Sequence, residues 1–350
     1  MNKISINLDL YEGKGLELSK RSDIKMPLCD WQPDKASQYS ADKGLTNAVN
    51  VSISLGQPLL ITGEPGTGKT QLAYSIAHEL ELPGPFVFNT KTTSIARDLF
   101  YEYDALQHFQ DSHRPDYKLN KQQYVQYNAL GIAILLASSK EDIKKIDTES
   151  LKYIQENINN IPSEKLKNIS KNIMSNEPTR SVVLIDEIDK APRDLPNDLL
   201  NEVLEMAFTI KETRIKHEAS HEYRPVMIIT SNSEKNLPEP FLRRCVFYHI
   251  DFPDTEKLKE IVHNHLSEIR YLDQAVEHFE SIRKKRLKKK PATAEFIPWI
   301  TALQSLIKDK ELDFKNLSEE QIDKIKISYS ILAKSKEDFD LIEKELKKEN

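Results

Sequence analysis

The sequence predicts an α/β protein: a parallel sheet of five strands covered by helices on both faces, followed by a strand-free helical part. Three observations carry this. Five short, near-continuous apolar runs, at residues 58–62, 86–90, 182–186, 226–230 and 246–250, are separated by stretches of helical spacing, as expected of strands buried on both faces. A glycine-rich octet, Gly63-Glu64-Pro65-Gly66-Thr67-Gly68-Lys69-Thr70, joins the first run to an amphipathic stretch at 71–80. Beyond Pro253 strand-like runs cease, and no glycine follows Gly131, which suits helices better than tight loops.

Taken in order, residues 1–37 carry mixed charge with weak periodicity and read as an N-terminal extension. An α/β core is expected over 38–252. It opens with a helix near Lys43, marked by Leu45, Ala48, Val49 and Val51, and continues into the first strand. Within it, residues 139–179 turn rich in Lys, Glu, Asn and Ser around a sparse stripe of Ile143, Ile146, Leu151, Ile154 and Ile158, which reads as an exposed helical insertion. Residues 253–350 read as helices, including 256–269, 293–307 and 319–333.

Composition narrows the function. With 39% hydrophobic and 30% charged residues the 350-residue chain suits a soluble globular protein. Its longest apolar stretch, 129–137, falls well short of the roughly 18 to 20 residues that cross a bilayer. The first nine residues lack the apolar core of a signal peptide, and Cys29 and Cys245 are the only cysteines, so a cytoplasmic location is expected. A net charge of −5 argues against binding nucleic acid over most of the surface. The densest basic run, 283–290, reads either as a solvated helix end before Pro291 or as a patch for phosphate backbones or an acidic partner.

The octet carries the chemistry. It fits G-x-x-x-x-G-K-[ST] throughout, between a strand and a helix, and an accidental match in a chain this long has a chance on the order of one per cent. Glycines let backbone N–H groups converge on phosphate oxygens; Lys69 would meet the β- and γ-phosphates and the Thr70 hydroxyl would ligate Mg²⁺. The run Val182-Val183-Leu184-Ile185 ends in Asp186-Glu187, which supplies one carboxylate for the metal and its waters and a second to polarise a water attacking the γ-phosphate. Asn232, at the polar tip of the fourth strand, would orient that water or touch the γ-phosphate.

This succession, closed by Leu237-Pro238-Glu239-Pro240-Phe241-Leu242-Arg243-Arg244-Cys245, resembles the AAA+ ATPases over roughly residues 39–340. The stretches 45–50, 99–106 and 186–192 resemble the MoxR-like branch in particular. The resemblance implies a P-loop core with strand order 5-1-4-3-2 and a helical C-terminal lid. It implies ATP as substrate and Mg²⁺ as cofactor, with residues Gly63 to Thr70 forming Walker A and Asp186-Glu187 forming Walker B. Asn232 would then be the sensor-1 residue. Arg244, with Arg243 beside it as the alternative, would be the arginine finger for a neighbouring subunit of a homo-oligomer, expected to be a hexamer. Asn89 falls where the family often keeps a polar residue that restrains the catalytic Glu, though as a strand-end cap it reads equally well. Where the family commonly has a sensor-2 arginine beside a proline, this chain has Lys290-Pro291. MoxR-like ATPases often serve von Willebrand factor A-type proteins, so a protein client remodelled by ATP hydrolysis is the leading expectation, with the insertion and the N-terminal extension as docking elements. The alternative is a nucleic-acid-directed ATPase subunit of a defence or restriction complex, using the basic run.

Other patterns carry less. His217-Glu218-Ala219-Ser220-His221 matches H-E-x-x-H but falls in what reads as a polar connection without an evident third ligand, so zinc is not expected. Thr90-Lys91-Thr92-Thr93 lacks the Asp of a guanine-reading signature. A small-molecule phosphotransferase is disfavoured because Glu187 beside Asp186 suits attack by water.

Overall fold

The five apolar runs become one parallel sheet. Its strands are β1 (Leu59–Gly63), β2 (Phe86–Asn89), β5 (Val182–Asp186), β8 (Val226–Ser231) and β9 (Val246–Ile250), while β3 (Tyr101–Tyr103) pairs with β4 (Val125–Tyr127) and β6 (Ala207–Ile210) with β7 (Ile215–Glu218) in two separate antiparallel ladders. These features come from a computed structural model that describes residues 33–114, 120–139, 177–232, 237–266, 269–307, 312–314 and 316–349. Most of the expected insertion, residues 140–176, and the extension up to residue 32 lie outside them.

The large sheet runs β2-β5-β8-β1-β9, every neighbouring pair parallel. Counted along its own five strands, this is the expected order 5-1-4-3-2 read from the other edge. The two small ladders are what the sequence reading lacked. Their strands are only three or four residues long, and segments such as Tyr101-Glu102-Tyr103 or Ile215-Lys216-His217-Glu218 are too short and too polar to register as apolar runs. The connection containing His217 is therefore the second strand of a hairpin, with Arg214 at φ 60° in its turn.

Period-two alternation sorts the sheet's side chains into two cores. Leu59, Ile61, Val182, Leu184, Val226 and Ile228 pack with Leu45 of α1 (Lys43–Leu55) and with Leu72, Ala73 and Ile76 of α2 (Lys69–Glu79). On the other face, beyond α3 (Ala105–Ser112) in the chain, Leu60, Val183, Ile185, Met227 and Ile229 pack with α4 (Ala129–Leu136), which lies in the longest apolar stretch and in which every residue is buried. Each fully buried Leu, Ile or Val contributes about 1.5 to 3 kcal/mol relative to exposure, which holds the central strands β1, β5 and β8 in register. Gly131 lets α4 cross the chain at Phe100, since a Cβ there would lie 2.0 Å from the Phe100 carbonyl oxygen.

The chain divides into two compact units, one comprising Pro33–Glu64 and Lys69–Asp251, the other running from Phe252 onward and grouping with Pro65–Gly68. The helices of the second are Thr255–His265, Leu272–Arg283, Thr293–Leu306, Glu319–Leu332 and Lys336–Glu349. They enclose an aromatic core of Phe279, Phe296, Trp299 and Tyr329. Inside it the Trp299 indole N–H donates to Ser328 Oγ at 2.9 Å, and His278 Nε2 shares a 2.7 Å hydrogen bond with the Tyr329 hydroxyl. The helix expected over 256–269 ends at His265, and Leu266 is extended (φ −126°, ψ 152°). Leu266 and Ile269 still pack into the core, so apolar spacing persisted past the point where the helix stops.

Candidate functional site

Three strands deliver the candidate residues to one edge of the sheet. β1 ends at Gly63, and the loop that follows holds Gly66 at φ 79° and Gly68 at φ 87°, left-handed conformations that side chains strain to adopt. Lys69 opens α2 and is buried, 6% exposed. Its Nζ donates to the carbonyls of Gly63 and Glu64, each at 2.9 Å, so the ammonium is held across the loop's mouth. Burial pushes its pKa down, opposed by the carboxylates of Asp186, Asp189, Glu187 and Glu64.

Thr70, the next residue, donates its hydroxyl to both Asp186 carboxylate oxygens, at 3.1 and 3.3 Å. A hydroxyl and a carboxylate at this separation form a hard, all-oxygen donor pair, the kind Mg²⁺ takes from a protein while keeping waters and substrate phosphates as its remaining ligands. Asp186 stands at the last position of β5, whose four preceding residues are fully buried. The strand's hydrophobicity thus fixes where the carboxylate emerges.

Glu187 follows in a left-handed conformation (φ 56°, ψ 51°), uncommon for a residue with a Cβ. The turn is held from β8: Glu187 N–H donates to Thr230 Oγ1 at 2.9 Å, and the same hydroxyl donates to Asp186 Oδ1 at 2.5 Å. Thr230 therefore couples the two acids. Glu187 Oε1 accepts from Asn232 Nδ2 at 3.0 Å, and Glu187 Oε2 pairs with the Lys190 ammonium. Asn232 is in turn fixed by its backbone N–H, which donates to the buried Asp189 carboxylate at 3.2 Å. Thr70, Asp186, Thr230, Glu187 and Asn232 form one connected polar network on three neighbouring strand ends, with Lys69 next to Thr70 in the chain.

Sequence reasoning missed the parts played by Thr230, Asp189 and Lys190. Asp189 and Lys190 were visible two and three residues after the acid pair; Thr230 carried no signal of its own, because its partners lie more than 40 positions away. Asn89 ends β2 in register with Asp186, and among the described residues no hydrogen bond joins it to Glu187, both of whose oxygens are engaged by Asn232 and Lys190.

The two arginines stand apart from this network. Arg243 pairs with Glu239 one helical turn earlier, both side chains more than 70% exposed, and Arg244 donates to the Pro240 carbonyl at 3.1 Å. Among the described residues neither guanidinium bonds to Asp186, Glu187 or Asn232. Lys290 is exposed and belongs to the unit that begins at Phe252. His217 is buried in β7, its Nε2 3.3 Å from the Tyr127 hydroxyl and its ring beside Phe208, whereas His221 sits in a separate 3-10 turn, His221–Tyr223. The H-E-x-x-H pattern thus lacks the helix that would bring both imidazoles to one face.

No helix of the described residues is long and apolar enough to cross a membrane. No curated protein matches the chain. The family model of the ATPases associated with various cellular activities matches residues 59–253, more than half of the chain and the stretch from β1 to just past β9. The matched stretch contains the glycine loop, the acid pair and all five strands of the large sheet, and the chain belongs to the AAA family of ATPases.

Proposed function

We propose that this chain hydrolyses ATP at the network joining Gly63–Thr70, Asp186, Glu187 and Asn232, and that it does so as a subunit of a ring. The observation that carries the reading is the placement of Glu187: its carboxylate is oriented by Asn232 while the Thr230 hydroxyl ties its backbone to Asp186. The loop N–H groups and Lys69 would bind the β- and γ-phosphates. Thr70 and Asp186 would hold Mg²⁺, which when bound neutralises charge on the phosphates. Glu187 would take a proton from water as its oxygen bonds to the γ-phosphorus and the bond to the β–γ bridging oxygen breaks, releasing ADP and phosphate. Asn232 would orient the water.

Assembly is part of the proposal. A cation is wanted at the γ-phosphate in the transition state and is worth about 10³ to 10⁵ in rate. Arg244, or Arg243 beside it, bonds to none of its own subunit's site residues, which supports action on a neighbouring copy. The MoxR-like features of the sequence support a hexamer that remodels or matures a protein client, with a von Willebrand factor A-type protein as the partner class to try first.

The test is a mixing experiment. Arg244→Ala alone is expected to lose at least about 10³-fold in turnover, and mixing it with Lys69→Ala subunits should restore part of that activity, because each variant supplies the half that the other lacks. Full activity in a monomeric Arg244→Ala protein would refute assembly. Loss without rescue at any ratio would refute the finger.

A further inference from the structure

The run Arg283 to Lys290 is not the end of a helix. Leu272–Arg283 terminates at its first residue, and 284–290 continue as a loop fixed at several points. The Arg283 guanidinium lies over the Phe252 ring, 3.4 Å from its centroid, and donates to the Pro291 carbonyl. Leu287 turns inward against the aromatic core. Asp338, only 1% exposed, accepts the backbone N–H of Lys288 at 2.8 Å and of Lys289 at 3.3 Å. Burial by itself would raise the Asp338 carboxyl; those N–H groups and Ser335 hold it below its ordinary value, so the clamp is a charged one.

What the clamp presents is cationic. Lys288 pairs with Glu337 at 3.1 Å. Lys284, Arg286, Lys289 and Lys290 are exposed, and among the described residues none of the four is in an ion pair. Four like charges held close on a fixed loop repel one another, and a whole-chain charge of −5 shows that this concentration is local. A solvated helix end explains only Arg283 and the residues next to it.

We infer that the loop 284–290 is a docking surface for the phosphate backbone of a nucleic acid. Protein interfaces deplete Lys and bring apolar and aromatic groups to their centre, whereas the one apolar residue of this loop faces inward. Three of the four cations are Lys, compact point charges that meet phosphate oxygens without a fixed orientation, as contacts to a backbone of any sequence require. A loop of this length reaches up to about 20 Å, and duplex DNA offers a phosphate every 3.4 Å along each strand, so four contacts fit. With no ring or amide presented to base edges, binding is expected to ignore sequence.

The experiment measures binding of the full chain to a fluorescent duplex of arbitrary sequence between 50 and 200 mM salt. Four phosphate contacts give a slope of about −3.6 in log affinity against log salt, hence a loss of roughly 150-fold over that range. The triple variant Lys284→Gln/Arg286→Gln/Lys289→Gln should cut the loss to roughly 3- to 4-fold. Glu337→Gln, which frees Lys288, should steepen it to roughly 500-fold. Both variants should keep the wild-type melting temperature, so a folding defect would be visible. No binding at 50 mM salt, a slope that neither variant moves, or capture of a polyglutamate peptide in preference to the duplex would overturn the inference. The readout is independent of ATP turnover, so its failure leaves the proposed hydrolysis intact.

Discussion

The strand-end site and the helical C-terminal unit solve opposite problems with buried polar groups. At the sheet edge Lys69, Asp186 and Glu187 place charged groups where substrate charge is expected, and the two acids are bonded by Thr70, Thr230 and Asn232 from other segments of the chain. In the C-terminal unit polar groups serve packing: Trp299 meets Ser328, His278 meets Tyr329, and Asp338 pins a loop. A polar side chain among rings spends its hydrogen bonds on a neighbour, whereas the site's groups sit at an edge open to a ligand. Substitutions in the first region should move turnover, and in the second, stability.

The largest effect on nucleotide binding is expected at Lys69. Lys69→Ala removes the buried ammonium of the loop, and ATP affinity should fall by about 10²-fold or more, since a charge-assisted contact to phosphate is lost; calorimetric titration with ATP checks it. In the other region Trp299→Ala should cost about 3 to 5 kcal/mol, the usual price of a large aromatic core truncation, visible as a lowered denaturant midpoint. If Trp299→Ala were neutral, the aromatic core would not be what holds those helices.

Thr230→Val sharpens the contrast. It keeps the volume and the β-branch of a buried strand residue but removes the hydroxyl shared by Glu187 and Asp186. Turnover is expected to fall about 10- to 100-fold, as for other outer partners of a site, with the ATP dissociation constant changed much less. A merely structural hydroxyl would lower the melting temperature and leave kcat alone.

The smallest effect concerns pH. Asp338 has its folded-state pKa held below its unfolded value, so its stabilisation is full above the unfolded value and is lost as pH falls through the folded one. Comparing wild type with Asp338→Asn by thermal melts, the gap should be widest near neutrality and narrow in acid. A gap that widens toward low pH would reverse the assignment.

How much was legible follows the same divide. β1, β5 and β8 were readable because strands buried on both faces leave unbroken apolar runs, and the loop because phosphate binding demands glycines and a lysine at set positions. Asp186-Glu187 was readable as an acid pair closing such a run. The ladders β3–β4 and β6–β7 were not, since three or four residues cannot display a period. Thr230 was hidden for another reason: a threonine in an apolar strand reads as β-propensity, and only the sheet order shows that β8 lies beside β5 and puts the hydroxyl between two acids. The basic run was obvious, yet its clamp was not, because Asp338 arrives from 50 residues downstream.

The most direct measurement is single-turnover hydrolysis by Glu187→Gln alongside its ATP dissociation constant. Glutamine keeps the side-chain oxygen that Asn232 bonds to but cannot accept the water's proton. We expect ATP to bind within about threefold of wild type while the chemical step slows by about 10² to 10⁴, the contribution of general base catalysis. Hydrolysis at the wild-type rate would show that Glu187 is not the base, and the account of this site would fail with it.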